Sequence, residues 1–212
     1  LNYKELEQAV GPKTKVVAIG AASNSLGTIN NIQAAIELAH SVGALAFIDA
    51  VHFAPHALID VKELDCDFMA MSAYKFYGPH IGVLYGKREL YEEIDFPSLV
   101  PAPDYAPENA ETGTQNQEGI IGAAAAVDFL ASLGSEDSRR DRLTSVMAEV
   151  HTRNVFLFER LWNGLKEINK VTLYGPAPDH PRTPTVSFTI AGWTSGEAAR
   201  VLSERGLFLS HG

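Results

Sequence analysis

The chain has 212 residues, which at roughly 150 residues per domain means one to two domains and ample length to bury a core. Its 46% hydrophobic and 20% charged residues are ordinary globular usage and exclude a disordered or fibrous chain. Seventeen Lys and Arg against 26 Asp and Glu leave a net charge of -9, which argues against nucleic acid as a partner, because tracking phosphates needs a clustered positive excess.

In chain order, Lys15 to Gly20 (KVVAIG) is a short apolar run closed by glycine, then polar Ser23-Asn24-Ser25, then apolar positions at Ile32, Ala35, Ile36 and Ala39. That pattern predicts strand, loop and helix. Ala44 to Ile48 is a second buried run ending at Asp49, and a helix between two such strands is the crossover unit of a parallel sheet. The predicted class is therefore α/β. Asp67 to Ser72 and Ile81 to Tyr85 add two more strands across the turn Tyr77-Gly78-Pro79, for a sheet of at least four strands. Pro97, Pro101, Pro103 and Pro107 make an excursion loop without regular structure. Helices are predicted over Glu118 to Leu133 and Asp141 to Ile168, the second long enough to bridge two domains. A strand at Thr185 to Ile190, a helix over Glu197 to Glu204 opened by Ser195, and a strand at Leu207 to Leu209 suggest a smaller α+β domain. The chain starts without a Met and stops directly after that last run, so it is expected to be a fragment. Its most apolar stretch, Gly119 to Leu130, is interrupted by Asp128 and falls short of the ~20 residues of a membrane span. The single cysteine, Cys66, rules out an internal disulfide or a multi-thiolate metal site and suits a reducing compartment, with the cytoplasm expected. It precedes a core strand and reads as structural.

Asp49 stands at the carboxyl end of a buried strand, where open α/β sheets bind ligands, although a turn or cap aspartate looks the same in sequence. His52 lies three residues on, close enough to line one pocket. Lys75 follows the strand DFMAMS among aromatics: it is either a snorkelling surface residue or a partly desolvated amine, the condition a Schiff-base lysine needs. A lysine and an aspartate at the ends of two strands of one sheet form the pattern that holds pyridoxal 5'-phosphate (PLP), lysine on the aldehyde and aspartate on the pyridinium nitrogen. The histidines lack metal-ligand spacing, and Pro55 separates His52 from His56, so no metal is assigned.

Four segments occur in order: Ser23-Asn24-Ser25-Leu26-Gly27-Thr28, Asp49-Ala50-Val51-His52-Phe53-Ala54-Pro55-His56, Ser72-Ala73-Tyr74-Lys75-Phe76-Tyr77-Gly78-Pro79-His80 and Glu111-Thr112-Gly113-Thr114-Gln115-Asn116. Together they closely resemble the class V aminotransferases of PLP-dependent fold type I, in particular the cysteine desulfurase-like branch, over nearly the whole chain. The resemblance implies a mostly parallel sheet of a large PLP-binding domain (1–138), a long connecting helix (139–168) and the start of a small C-terminal domain (169–212). It implies that Lys75 carries the Schiff base and shuttles protons, Asp49 pairs with the ring nitrogen, His52 faces the phenolic oxygen and Ser72 binds the phosphate. Asn24 would lie beside cofactor and substrate, and Thr114 would reach the phosphate of the neighbouring subunit's cofactor. The enzyme so implied is a homodimer with shared active sites that acts on an amino acid.

Tyr74 stands where the usual desulfurase has His, and its role is open. Ser210-His211-Gly212 stands where desulfurases carry Arg-x-Gly, and the family's mobile cysteine and carboxylate-binding arginine would follow it. Desulfuration, transamination and β-elimination therefore all remain open. A nicotinamide-binding oxidoreductase is disfavoured because no G-x-G-x-x-G follows a strand. The remaining alternative is a non-catalytic structural or binding protein that keeps the fold without the cofactor.

Overall fold

The structure is a computed structural model that describes residues 1–111 and 113–212. The chain divides into two compact units: residues 1–22 with 30–150, and residues 23–29 with 151–212. In the first unit α1 (Tyr3–Ala9) leads into β1 (Val16–Gly20), α2 (Ile32–Ser41), β2 (Leu45–Asp49), α3 (Val61–Leu64) and β3 (Phe68–Ser72). A 3-10 turn (Ala73–Phe76), β4 (Gly82–Gly86), α4 (Arg88–Glu93), a second 3-10 turn (Glu108–Ala110) and α5 (Gln117–Ser132) follow. Helix α6 (Arg139–Lys166) begins in this unit.

The sheet has the order β1-β2-β3-β4. The first three strands are parallel, and β4 returns antiparallel after the tight turn at Tyr77-Gly78-Pro79. The predicted α/β sheet of four strands, mostly parallel, is thus present. Strand β2 shows why it is central. Ala46 and Ile48 are buried in the cluster that holds Val17, Ile19 and the α2 residues Ile32, Ala35, Ile36 and Ala39, while Leu45 and Phe47 pack on the opposite side with Phe68 and Tyr91. The alternation is the period of two that a strand covered on both faces requires. Alanines at 35, 39, 44 and 46, all 2% exposed or less, let α2 lie close on the sheet. Asn31 caps α2 by accepting the Ala34 N–H at 3.2 Å, which satisfies a donor the helix leaves orphaned.

In the second unit the remainder of α6 is followed by β5 (Val171–Tyr174), β6 (Ser187–Ile190) and α7 (Ser195–Ser203). β5 and β6 pair antiparallel. Thr194 and Glu197 form a capping box at the start of α7, a signal that the sequence reading assigned to Ser195 instead. The expected strand at Leu207 to Leu209 is absent. Leu207 donates its N–H to Leu202 O at 3.0 Å, closing the end of α7, and 207–209 pair with no strand among the described residues. The expected strand over 185–190 begins only at Ser187, because the Thr185 N–H bonds Thr183 O. Among the described residues no helix is long and apolar enough to cross a membrane.

Candidate active site

The register Gly20↔Asp49↔Ala70 brings the carboxyl ends of three parallel strands to one edge, the usual ligand edge of such a sheet. Asp49 ends β2, is exposed, and accepts the Val51 N–H on Oδ1 at 2.9 Å. That bond fixes the carboxylate plane and leaves Oδ2 without a partner among the described residues. After Asp49 the chain winds through successive turns, with Phe53 and Ala54 donating to Ala50 O and His56 to Phe53 O. These turns, with no helix around Pro55, bring the His52 and His56 rings edge to face at 5.2 Å. Burial first, and then the Lys75 charge, push the His52 pKa down. Burial and the neighbouring His52 bring His56 to about 4. Both imidazoles are therefore neutral over the physiological range. His56 Nδ1 is buried without a hydrogen-bond partner among the described residues.

Ser72 is the half-buried last residue of β3. From there the chain tightens into the 3-10 turn anchored by Ala73, which is 0% exposed and donates to Ile81 O at 2.9 Å while accepting the Gly78 N–H at 2.9 Å. Tyr77 closes the turn at φ 71°. Lys75 stands on this turn and is exposed, so of the two readings open for it the desolvated amine is not supplied by the residues described. Its Nζ lies 5.0 Å from the Tyr74 ring centroid, within reach of a cation–π contact. The Tyr74 ring stacks on His80 at 4.7 Å and 11°. Sequence gave no hint of that pairing, since the two rings are brought together only by the Gly-Pro turn between them.

Thr114 is exposed in the loop before α5, its hydroxyl unpartnered among the described residues, while Asn116 caps α5 through the Gly119 N–H at 2.9 Å. Thr112 of the same motif lies outside the described residues. Asn24 belongs to the second unit. It is exposed, with its Oδ1 3.4 Å from Ser25 Oγ. The first unit therefore carries Asp49 and Ser72 at the carboxyl ends of neighbouring strands, His52 and Lys75 on the turns that follow them, and Thr114 on a separate loop. Cys66 is 0% exposed, and burial pushes its thiol pKa up, as suits a structural cysteine. No group of three potential metal ligands occurs among the described residues.

An α/β sheet with a lysine and an aspartate at the ends of neighbouring parallel strands defines a class of candidate cofactor sites. Comparison with known proteins gives it a family. The aminotransferase class-V profile matches residues 1–212, and the chain belongs to that PLP-dependent family, in its cysteine desulfurase-like branch. A probable cysteine desulfurase of Halalkalibacterium halodurans is 35% identical over 100% of this chain and 52% of its own length. A cysteine desulfurase of Pectobacterium atrosepticum is 35% identical over 85% of this chain and 44% of its own. Among solved structures, the cysteine desulfurase CsdA of Escherichia coli matches with a TM-score of 0.83 and 28% identity, over 98% of this chain and 51% of that one. The fold is thus that of PLP-dependent fold type I. The chain spans about half the length of the relatives it matches.

Proposed function

We propose that the chain is part of a PLP-dependent enzyme that acts on an amino acid, cysteine desulfurase-like or aminotransferase in its chemistry. The observation that carries the reading is the pair Asp49 and Lys75 at the carboxyl ends of adjacent parallel strands, with neutral His52 sensing the Lys75 charge. An amine for the aldehyde and a carboxylate with one oxygen unpartnered for the ring nitrogen fit PLP. When bound, the cofactor supplies an electron sink for negative charge at the substrate's α-carbon.

Each residue then has a defined task. Lys75 would hold the cofactor's aldehyde group through Nζ, and its amine would move the proton at the substrate's α-carbon. Tyr74 lies against that amine. Asp49, with Oδ1 engaged by Val51, offers Oδ2 to the ring N–H and keeps it protonated. His52 meets the phenolic oxygen as a neutral ring that donates from one nitrogen. Ser72 donates its hydroxyl to the phosphate, and Thr114 of one subunit donates to the phosphate in the partner subunit's site, which makes the working unit a homodimer. Asn24 would lie beside cofactor and substrate. In domain terms, 1–138 carry the cofactor, 139–168 connect and 169–212 begin the small domain.

The reading is tested by titrating the full-length protein with PLP and recording visible absorption, then adding amino acids one at a time. A saturable visible absorption band that changes with particular amino acids is expected, and the product separates desulfuration, which gives alanine from cysteine, from transamination or elimination, which give a keto acid. A protein that takes up no PLP contradicts the reading and leaves the non-catalytic alternative.

A further inference from the structure

The loop 23–29 interrupts the first unit between β1 and α2, yet it belongs to the second unit. Its own backbone is closed by the Ser23 N–H to Thr28 O at 2.8 Å and the Gly27 N–H to Ser23 O at 3.0 Å. One side chain is central to holding it. Arg182 Nη2 donates to Leu26 O at 3.2 Å and also to Thr185 O, while its Nε donates to Thr183 O at 3.3 Å. The guanidinium is held against the Phe158 and Trp162 rings, 3.9 and 5.0 Å from their centroids. No carboxylate pairs with it among the described residues: Nε and Nη2 donate to backbone carbonyls, and Nη1 is buried without a hydrogen-bond partner there.

The rest of the contact is built around the same fork. Arg182 pairs with Thr28 in an isolated antiparallel bridge, and the Thr183 N–H donates to Gly27 O at 2.9 Å. Ser187 Oγ donates to Ser25 O. Gly27, at φ 75°, leaves no room for a Cβ, which would stand 2.8 Å from Thr183 O and 2.9 Å from Arg182 Nη2; at Gly175, φ 96°, a Cβ would strike Leu26 O. Two glycines with positive φ at one close approach are what a backbone-on-backbone clasp needs. Every residue from Ser25 to Thr28 is thus tied to 175–187, and Asn24 stands at the head of the clasped segment.

We propose that Arg182 is a positioning residue that sets the orientation of Asn24 through the clasped segment, and so holds this side chain for the cofactor- and substrate-contacting task proposed for it. The proposal rests on the functional reading above for the task of Asn24 and on the hydrogen bonds alone for the clasp. Arg is required because one planar fork must serve Leu26, Thr185 and Thr183 while stacked on two rings, which a lysine ammonium cannot do.

The test has two arms on the full-length protein. In protein freed of PLP, amide hydrogen exchange over 23–29 is compared between wild type, Arg182→Met and Arg182→Lys. Both variants are expected to exchange faster in this segment by about tenfold or more, the scale of a lost charge-assisted hydrogen bond, while β5 and β6 amides keep their protection. Unchanged exchange over 23–29 in Arg182→Lys, which retains charge and bulk should Arg182→Met not fold, overturns the clasp. In the second arm PLP affinity is titrated by visible absorption in a double-mutant cycle with Asn24→Ala. If Arg182 acts through Asn24, Arg182→Lys weakens PLP in the parent and has less than about a twofold effect in Asn24→Ala. An equal factor in both backgrounds marks a merely structural arginine and overturns the positioning role. A wild type that binds no PLP contradicts the functional reading instead, and the exchange arm then decides the clasp alone.

Discussion

His56 makes the clearest pH statement at the scale of single residues. Its folded pKa of about 4 lies below the ordinary 6.5 because of burial and the neighbouring His52. Between those two values the unfolded chain binds the proton and the folded chain does not, so stability rises with pH through this window and is lost as pH falls through it. His56→Asn, which cannot titrate, is expected to flatten the urea-unfolding stability profile between pH 6.5 and 4; a variant as acid-sensitive as wild type would contradict this. Asp49 makes a catalytic statement. Leaving a ring cation without its carboxylate costs about 3–5 kcal/mol, so Asp49→Ala is expected to retain PLP yet slow α-proton exchange with deuterated solvent by about a hundredfold or more. Unchanged exchange would mean that the ring nitrogen lies elsewhere.

Between elements, Asp67 is the key join at the amino end of β3. It is 5% exposed and takes three donors: the Ala46 N–H at 2.7 Å and His40 Nε2 at 2.8 Å on Oδ2, and Lys87 Nζ at 2.9 Å on Oδ1. Helix α2, strand β2 and the end of β4 are tied to β3 through one carboxylate. Burial alone would raise its pKa, but the donors outweigh burial and hold it below the carboxylate range, so its contribution is present above that range and lost as pH falls through the folded pKa. Asp67→Ala leaves Lys87 with a single acidic partner, the more exposed Asp65, and a destabilisation of about 3 kcal/mol is expected by urea unfolding, the scale for one partner removed from a buried pair. A loss within about 0.5 kcal/mol, as at ordinary surface sites, would contradict the network. The buried Cys66 beside it should react with a thiol reagent only as fast as the sheet opens; fast labelling under native conditions would contradict its burial.

The elements around this join were readable in sequence in unequal measure. Strands β1 and β2 and helix α2 announce themselves because each buries a periodic apolar stripe; β3 reads as an apolar run and α5 and α6 as long helical patterns, although Leu157 and Leu161 of α6 are exposed. Short α3 and α4 and strand β5, with alternate residues exposed, carry too little periodicity to stand out. At the candidate site, Asp49, His52, Ser72 and Lys75 were legible from their places after strands. The Tyr74–His80 stack and the Arg182 clasp depend on turns and on residues more than 150 apart in the chain, which no local pattern encodes.

At the scale of the whole molecule the account predicts division of labour between subunits. Thr114 is exposed on its loop, and the proposal sends its hydroxyl to the partner subunit. Mixing Lys75→Ala subunits with subunits carrying a disabling Thr114 substitution should then restore activity, because one of the two sites in a mixed dimer receives neither lesion. No recovery, with subunit exchange confirmed, would mean that Thr114 serves its own chain. All of this depends on one covalent link, and the most direct measurement is borohydride reduction of the full-length protein with PLP, followed by digestion and mass mapping. The account predicts a pyridoxyl group fixed on Lys75 and none fixed at the active site in Lys75→Ala; stoichiometric fixation on a different lysine, or none in the wild type, would contradict it.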